Sequence, residues 1–366
     1  MPAEWEPHAA TWLGWPHNAT DWPGKIQVIP WVYAEICRKL APGEKLHILV
    51  NSARQEGAAR KVLAAAGVPR GAARFFRFPT NRGWTRDSGP IFVRSAAGIR
   101  NLPTVSNPEV SGLTVAAGAQ KRRSRLAILR FRFNGWAKYP DWRLDNQVPV
   151  RAAPALRLPL VTAVIGGRGF VLEGGSIEVN GRGTLLTTEE CLLDRKVQAR
   201  NPGFSRQQVE TALRTFLGAT NVLWLGRGIA GDDTHGHVDD LCRFVNRRTL
   251  VLAQEKDGRD ANHRVLEENR ERLEGMRLED GSRPAVVRLP MPAPLYFEDL
   301  RLPASYANFY IGNAAVLVPT FNDPNDRVAL GILGELFRDR PVVGIHAVDL
   351  VLGLGTLHCL TQQQPG

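Results

Sequence analysis

Runs of apolar residues typical of β-strands alternate with amphipathic, helix-like segments along most of the chain. Residues 46–50 predict a strand, a helix follows around residues 55–66, and residues 73–78 predict the next strand. Later strands are predicted at residues 221–225, 249–253 and 285–289 and from 342, and later helices between a Ser-x-x-Gln capping box at 205–208 and Gly218, at 262–273 and at 328–337. This alternation favours an α/β architecture, and units that recur every several dozen residues leave room for a repeated ββαβ design.

One stretch stands apart from the alternating pattern. Residues 95–125 are rich in Gly, Ala, Ser and Pro and end in a basic cluster, KRRSR, at 121–125. This composition predicts a long loop or insertion. Because no convincing linker is found elsewhere, residues 1–366 are interpreted as a single domain.

The chain carries a formal net charge of +11 at pH 7. A surplus of this size can mark a nucleic-acid-binding protein, but the basic residues are mostly Arg scattered along the chain. We therefore interpret the charge as a solvated basic surface and expect no nucleic-acid partner. A cationic ligand would be repelled at long range, so a site for one must be acidic locally. No apolar run reaches the roughly 18–20 residues that cross a bilayer, and the first residues lack the pattern of a signal peptide, which predicts a cytoplasmic protein without membrane association.

The four cysteines are widely separated and form no CxxC pair. They therefore predict neither a disulfide framework nor a zinc or redox motif of that kind. Cys37, Cys191 and Cys242 are expected to be small buried hydrophobic residues. Cys359 differs because it ends a polar, glycine-containing segment, GLGTLHC, at residues 353–359.

Three further segments combine glycine with polar or aromatic residues at the end of a strand-like run, at 83–90, 172–175 and 232–240. Functional loops of α/β proteins collect at such positions. Together with Cys359 they offer a His and three carboxylates, which suit the chemistry of a guanidinium group. Carboxylates bind its N–H groups, a thiolate can add to its central carbon, and an acid can protonate the departing ammonia.

Each of these residues also has a purely structural interpretation. Asp87 can pair with a neighbouring Arg or cap a turn, Glu173 can be an ordinary turn residue, and His235 can serve structure alone. His358 is adjacent to Cys359, and adjacent side chains on a strand face opposite ways. It is therefore not expected to be the partner of the Cys359 thiol.

Residues 235–239, HGHVD, also support a zinc-dependent hydrolase as an alternative, because alternating histidines on a loop can chelate zinc. The metal-binding signature that begins in this way normally ends in a further His, where this chain has Asp240. Only His263, His346 and His358 follow, and none has a recognisable metal-ligand context. We expect no metal.

Taken together, ordered motifs along nearly the whole chain resemble the agmatine deiminase family, which belongs to a guanidino-group-modifying superfamily with the arginine and peptidylarginine deiminases. The motifs are PAEWEPHAATW at 2–12, WPH at 15–17, WTRDSGP at 84–90, FNGW at 133–136, LEGGS at 172–176, GRGTLLTT at 181–188, HGHVD at 235–239, YANFY at 306–310, DPND at 323–326 and HCLTQQQP at 358–365.

The resemblance implies the pentein fold, a five-bladed α/β propeller of pseudo-symmetric ββαβ units. It implies a hydrolase without a cofactor that converts agmatine and water to N-carbamoylputrescine and ammonia through a thiouronium intermediate on Cys359, and it suggests a homodimer. It also implies roles for five residues that match the family motifs: His237 as general acid/base, Asp87 and Asp239 as clasps of the guanidinium, Glu173 as a further clasp or an aid to proton transfer, and Trp84 as a pocket wall.

Departures from the family pattern leave alternatives open. Leu354 and Thr356 interrupt the glycine run that usually precedes the His-Cys pair, so Cys359 can be presented differently. Arginine or another guanidine is the alternative substrate, and an amidinotransferase would share the covalent intermediate. Asp323 and Asp326 are guesses for the far end of the substrate. A non-catalytic protein that uses its basic surface is a more distant alternative.

Overall fold

The computed structural model describes residues 1–95 and 125–366. The loop or insertion predicted at 95–125 lies outside the described residues except for its two ends. There the Ser95 N–H donates a hydrogen bond to the Arg125 carbonyl at 2.8 Å.

Each strand and helix predicted from the sequence has a counterpart among the described residues, and further short strands lie between them. The helices are α1 (Ile29–Leu40), α2 (Ala53–Ala65), α3 (Thr85–Ser88), α4 (Val148–Leu156), α5 (Glu189–Leu193), α6 (Arg206–Leu217), α7 (Ala261–Gly275), α8 (Pro324–Leu336) and α9 (Leu357–Leu360). The strands are β1 (His8–Gly14), β2 (Lys45–Leu49), β3 (Ala73–Phe76), β4 (Ile91–Arg94), β5 (Leu126–Arg130), β6 (Leu160–Thr162), β7 (Val164–Ile165), β8 (Arg168–Gly169), β9 (Glu178–Val179), β10 (Thr184–Thr188), β11 (Asn221–Leu225), β12 (Cys242–Phe244), β13 (Thr249–Gln254), β14 (Ala285–Pro290), β15 (Tyr296–Phe297), β16 (Leu300–Arg301), β17 (Tyr310–Ile311), β18 (Val316–Thr320), β19 (Val342–His346) and β20 (Thr361–Pro365). The mixed α/β class predicted from the alternation is confirmed.

Five sheets among the described residues share one order of pairing. In each, a central strand pairs antiparallel with one neighbour and parallel with a second strand, which the chain reaches through one or two helices. The central strands are β1, β5, β10, β13 and β18. In the first sheet the antiparallel neighbour is β20, so the C-terminal strand completes the unit that the N-terminal strand begins.

A short turn precedes the antiparallel strand of each unit, and four of these five turns are helical. The five turns are α3 before β4, residues 174–176 before β9, residues 238–240 before β12, residues 305–308 before β17 and α9 before β20. The first, second, third and fifth pack against one another in the contacts α3–α9, α3 with residues 174–176, and residues 174–176 with 238–240. Equivalent positions of different units therefore meet in one region.

Local signals account for several element ends. The predicted capping box is present at α6, where the Gln208 N–H donates to the Ser205 hydroxyl at 3.3 Å and the Ser205 N–H donates to the Gln208 side chain at 2.9 Å. Gly218 follows this helix with a left-handed φ of +73°, which glycine adopts without strain.

The N-terminus of α8 corrects one prediction. Asp323 accepts a hydrogen bond from the Asn325 N–H at 2.7 Å, and Asp326 accepts one from the Asp323 N–H at 3.1 Å. These carboxylates cap the helix, which begins at Pro324 instead of near Val328. Their oxygens are used at this helix end and neither residue lines the cavity described below, so the structure gives another role for them than the far end of a substrate.

The largest apolar core joins the first and last units. Leu13 of β1 and Ile36 of α1 pack in the same buried cluster as Val316 of β18 and Leu357 of α9. A fully buried aliphatic side chain stabilises a fold by about 1.5–3 kcal/mol. The core therefore holds the turn that carries Cys359 against the N-terminal sheet. Among the described helices, none combines the length and the apolar character needed to cross a bilayer.

Candidate active site

A cavity of about 410 Å³ opens beside two of the five turns. Trp84, Asp87 and Cys359, all predicted site residues, line it. The other lining residues come largely from loops, and they are Thr20, Asp21, Pro23, Arg82, Trp136, Tyr139, Asp233, Thr234, Phe297, Glu298, Asp299, Leu300, Leu352, Gly353 and Leu354.

The lining of this cavity is strongly acidic. Among the described residues five carboxylates line it, Asp21, Asp87, Asp233, Glu298 and Asp299, against the single cation Arg82. The Arg82 guanidinium already pairs with Asp21 and, at 3.2 Å, with Asp141. The site is therefore negative in a chain whose net charge is +11, as a cationic ligand requires.

The Cys359 side chain lies in the turn α9 and is 4% exposed. Its Sγ is 3.8 Å from the Asp239 carboxylate and accepts a hydrogen bond from the Asn308 amide at 3.1 Å. Burial raises the pKa of this thiol well above its ordinary range, and the nearby charges of Asp239, Asp240 and Asp87 raise it further. The thiol is thus protonated in the free protein at neutral pH.

Asp87 lies in α3 with both oxygens held by neutral donors. The Trp136 indole N–H donates to Oδ2 at 2.9 Å, and the Gly175 N–H donates to Oδ1 at 3.0 Å. Burial raises the pKa of Asp87 to about 6, and Asp239 and Glu173 add to the rise although His237 opposes it. The carboxylate lacks a compensating cation on its cavity side.

His237 lies behind Asp87 and is fully buried. Its Nδ1 is 3.8 Å from the Asp87 carboxylate and 3.9 Å from Asp239, and its Nε2 is 3.6 Å from Glu173. Neither ring nitrogen has a hydrogen-bond partner among the described residues, and Asp239 Oδ1 also lacks one. Burial lowers the pKa of His237, but the surrounding acids outweigh it and hold the pKa well above its ordinary range.

Gly175 explains how these polar groups come so close together. A Cβ at this position would lie 2.5 Å from His237 Nδ1, 2.9 Å from an Asp87 oxygen and 3.0 Å from an Asp239 oxygen. A side chain at residue 175 would therefore displace at least one of the three groups. The LEGG segment noted in the sequence is a requirement of packing as well as a source of Glu173.

Glu173 lies on the opposite side of His237 from the cavity. The buried Arg200 guanidinium donates to its two oxygens at 3.1 and 3.3 Å. Burial alone would raise the pKa of Glu173, but the Arg200 charge and His237 lower it below its ordinary range. Sequence reasoning missed Arg200, because nothing local distinguishes it from the other arginines of the chain.

Asp239 is oriented by a second layer of buried charges. Its Oδ2 bonds to His358 Nδ1 at 2.6 Å, and His358 Nε2 bonds to Glu4 at 2.8 Å. Glu4 in turn accepts hydrogen bonds from Arg86 at 2.8 Å and from Arg243 at 3.0 Å. The Asp239 carboxylate is therefore held through Oδ2. Its Oδ1 has no hydrogen-bond partner among the described residues and is available to a ligand.

His358 does not bond to the thiol, but the reason differs from the one expected. Residues 357–360 form the short helix α9 and not a strand, so strand alternation does not apply. The ring is held instead by Asp239 and Glu4.

Aromatic rings and glycines shape the wall beside Cys359. Trp84 packs on Trp22 with ring centroids 5.3 Å apart. A Cβ at Gly353 or at Gly355 would lie 2.9 Å from the Trp84 ring. Between them, Leu354 has a left-handed φ of +66°, a conformation that a branched side chain adopts at a cost of about 1–2 kcal/mol, and it lines the cavity.

The two histidines of the HGHVD segment do not belong to the same group of potential metal ligands. His235 bonds through Nε2 to Asp194 at 2.9 Å and so serves a turn beside the site. Two groups of described residues bring potential ligand atoms within 4.8 Å of one another, namely Glu173 with Cys191 and His237, and Asp239 with Asp240 and Cys359. His235 belongs to neither group, and Arg200 already neutralises Glu173.

A family model described as the Porphyromonas-type peptidyl-arginine deiminase matches residues 1–365. The chain belongs to this family. It is 34% identical to the agmatine deiminase of Medicago truncatula over 100% of this chain and 96% of that protein. The resemblance inferred from the motifs is thereby confirmed.

Solved structures give the same relationship. The chain resembles an agmatine deiminase of Enterococcus faecalis with a TM-score of 0.83 and 28% identity, covering 100% of this chain and 95% of that one. It also resembles an agmatine deiminase from C. jejuni with substrate bound, with a TM-score of 0.81 and 27% identity, over 100% and 96% of the two chains. The mixed α/β fold is therefore that of these deiminases.

Proposed function

We propose that this protein hydrolyses agmatine to N-carbamoylputrescine and ammonia through a covalent intermediate on Cys359. The observation that carries the proposal is a buried thiol in an acidic cavity, where the one lining cation from residues 1–95 and 125–366, Arg82, is already paired. Such a cavity attracts a dication. The agmatine deiminases among the relatives support the same substrate.

Asp87 and Asp239 clasp the guanidinium. Asp87 lies at the cavity wall and receives hydrogen bonds from neutral donors, and Asp239 Oδ1 has no hydrogen-bond partner among the described residues. Charge-assisted hydrogen bonds to two carboxylates hold the planar group, and the Trp84 ring lies beside it. Binding supplies the positive charge that the site lacks.

The same charge activates the nucleophile. In the free protein Asp239, Asp240 and Asp87 disfavour the Cys359 thiolate. A guanidinium bound between Asp87 and Asp239 offsets these negative charges and lowers the thiol pKa, and the proton leaves to solvent through the cavity. Substrate binding and nucleophile formation are therefore coupled.

In the first half-reaction the thiolate adds to the guanidinium carbon and a C–S bond forms. The His237 imidazolium donates a proton to the departing nitrogen, the C–N bond breaks, and ammonia leaves. Cationic thiouronium and neutral imidazole remain. The raised pKa of His237 ensures that this proton is available at neutral pH.

In the second half-reaction neutral His237 takes a proton from water, and the oxygen adds to the thiouronium carbon. The C–S bond breaks, thiolate is released, and the remaining O–H proton passes to solvent to leave the ureido product. Glu173, 3.6 Å from His237 Nε2 and paired with Arg200, stabilises the imidazolium in each cycle. Proton-transfer support fits its position better than contact with the substrate, because the Arg200 guanidinium already bonds to both of its oxygens.

We further propose that residues 1–366 form one catalytic domain and that its five units are arranged as a pentein propeller. The five repeated pairings and the closure of the first unit by β20 support this arrangement. The cytoplasmic location and the homodimer stay predictions.

Arginine is the second candidate substrate. Its α-carboxylate needs a cationic partner, and Arg82 offers one only by giving up Asp21. We therefore expect agmatine to be preferred by at least about 100-fold in kcat/KM, since an unpaired charge at the site is costly.

The test compares agmatine, arginine and a peptidyl-arginine for ammonia and ureido product, using the parent protein and Cys359→Ala. We expect turnover of agmatine that Cys359→Ala abolishes while the circular dichroism spectrum is unchanged. Cys242→Ala, another buried cysteine, serves as the control and should stay active. Inertness of the parent toward all three substrates, or an active Cys359→Ala, would overturn the proposal. An added amine that replaces water in the product would identify an amidinotransferase instead.

A further inference from the structure

Only four of the five turns carry a residue that the sequence analysis assigned to the site. Four of them, or the residues directly before them, carry Asp87, Glu173, His237 with Asp239, and Cys359. The turn before β17 occupies the equivalent place in its unit and carries Asn308, which is 1% exposed. Sequence reasoning assigned this residue no role.

We propose that Asn308 is a catalytic residue whose amide hydrogen bond holds the Cys359 sulfur and stabilises its thiolate. The inference rests on the proposed function of Cys359. The Asn308 Nδ2 lies 3.1 Å from Sγ, and it is the one hydrogen-bond donor to this sulfur among residues 1–95 and 125–366. The charged side chains that act on the sulfur, Asp239, Asp240 and Asp87, are carboxylates.

The orientation of the amide is fixed by its oxygen. Asn308 Oδ1 accepts a hydrogen bond from the Thr356 hydroxyl at 2.8 Å and from the His358 N–H at 3.0 Å. Because both partners are donors in this arrangement, a flipped amide would place its NH₂ group against them. The NH₂ group must therefore face the sulfur.

The second amide hydrogen is also used. Asn308 Nδ2 lies 2.8 Å from Asp240 Oδ1, so one hydrogen points to this carboxyl group and the other to Sγ. The Asn308 side chain thus separates Asp240 from the thiol and places a neutral donor between two groups that would repel as anions. Four partners lock it in one position.

This hydrogen bond is strongest when the sulfur is charged, because an ionised acceptor strengthens a hydrogen bond. It weakens when the C–S bond forms and the sulfur becomes neutral, and it strengthens again when that bond breaks and thiolate is released. Asn308 therefore favours thiolate formation and the final release step, with no covalent change of its own.

A merely structural role would have Asn308 hold only the loop at residues 356–359. Asn308→Asp tests the donor, because Asp keeps an acceptor oxygen for Thr356 and the His358 N–H but lacks the N–H donor and adds a negative charge beside the sulfur. The neutral Asn308→Ala shows how much of the effect comes from that charge. Asn308→Ala removes both functions. A matched control is Asn269→Asp, because Asn269 is buried, accepts from the Gly226 N–H at 2.7 Å and donates to the Arg227 carbonyl at 2.8 Å, away from the thiol.

The experiment measures alkylation of Cys359 by iodoacetamide between pH 5 and 10, followed by mass spectrometry of the peptide that contains it, together with kcat and KM for agmatine. Because the thiol pKa lies well above its ordinary range, the alkylation rate in this window follows the thiolate fraction, and in Asn308→Asp we expect this rate to fall at least about tenfold at each pH. We expect kcat to fall about 10- to 100-fold, the range for loss of a hydrogen bond to a charged group. Asn269→Asp should lose thermal stability but alkylate like the parent.

Parent-like alkylation in Asn308→Asp would overturn the proposal, whether or not kcat falls, because a lower kcat alone would then reflect the loop. If Asn308→Ala fails to fold, the Asp variant still decides. Activity that survives in Cys359→Ala would instead refute the proposed function, so the two failures are distinguishable.

Discussion

Three buried carboxylates lie between 3.6 and 3.9 Å from the His237 ring nitrogens, and two of them, Glu173 and Asp87, have opposite surroundings. Glu173 faces Nε2 and is neutralised by Arg200, whereas Asp87 faces Nδ1 and receives only the neutral donors of Trp136 and Gly175. The pKa of Glu173 is lowered below its ordinary range, while burial raises that of Asp87 to about 6. Glu173, at Nε2, already has a cationic partner, whereas Asp87, at Nδ1, can still accept one from a ligand. The difference marks where the substrate binds.

Removing the charge of Asp87 should give the largest loss of catalytic efficiency. Asp87→Asn keeps the size of the side chain but leaves the guanidinium with one carboxylate in a buried site. We expect kcat/KM for agmatine to fall about 1,000-fold, in the range for breaking a buried, hydrogen-bonded charge pair. Steady-state kinetics check this, and Asp233→Asn, at the cavity wall and already paired with Lys138, is the control with a smaller loss. Equal losses in both variants would contradict the assigned clasp.

Removing the cation that pairs with Glu173 should destabilise the fold itself. Arg200→Met leaves Glu173 buried without its cation, and the unfolding free energy should fall by about 3–5 kcal/mol. Urea denaturation measures it. Arg214→Met removes an exposed pair with Glu210 and should cost no more than about 0.5 kcal/mol.

The Arg200 prediction is sharpened by a double variant. Arg200→Met with Glu173→Gln removes the buried charge together with its partner and should recover part of the lost stability. A double variant no more stable than Arg200→Met would show that Arg200 acts through its hydrogen bonds to carbonyl oxygens and not through Glu173.

The two sides should also differ in their response to pH. Burial raises the pKa of Asp87 to about 6, above the value of about 3.9 for an unfolded chain. The folded protein therefore binds more protons in this window, so ionising Asp87 reduces stability as the pH rises from about 4 to 6. A cation needs the ionised form, and its Kd should weaken about tenfold per pH unit below about 6.

This pH effect can be measured without turnover. Calorimetric titration of agmatine into Cys359→Ala between pH 4.5 and 8 gives the Kd directly. In Cys359→Ala combined with Asp87→Asn the acid limb should be absent. If the limb persists there, another carboxyl group controls binding.

Substituting Asp323, which is neither of the two carboxylates compared above, should give the smallest effect. Asp323→Ala removes the cap of α8 and should cost about 1 kcal/mol of stability, without changing the KM for agmatine. Ser205→Ala at α6 is the matched cap and should behave alike. A KM that rises more than about tenfold in Asp323→Ala alone would restore this residue to the substrate site.

Sequence reasoning was most reliable where a local signal determines the structure. The capping box of Ser205 and the glycine at 218 define α6 within the chain itself. It failed at Asp323, where the motif resembled a site and the capping function of the same carboxylate was overlooked. A helix-cap signal, Asp followed by Pro and a second Asp at the third helical position, was present and could have been recognised.

The partners of the site were not predictable in the same way. Arg200, Asn308 and Glu4 are distant in the chain from the groups they bind, and no periodicity or spacing brings them together. Family motifs named His237 and Cys359 but did not reveal which carboxylate is neutralised. That distinction depends on tertiary packing, which the sequence pattern does not encode locally.

The pairing of β20 with β1 also has a consequence for biosynthesis. Glu4 is translated before Cys359, which lies on the turn before β20 and follows it by hundreds of residues. The acidic side chains of the earlier units are therefore synthesised before the Cys359 thiol. A polypeptide that stops short of residue 359 lacks the nucleophile and the strand that pairs with β1, so the proposed reaction can begin only when the last strand joins the first.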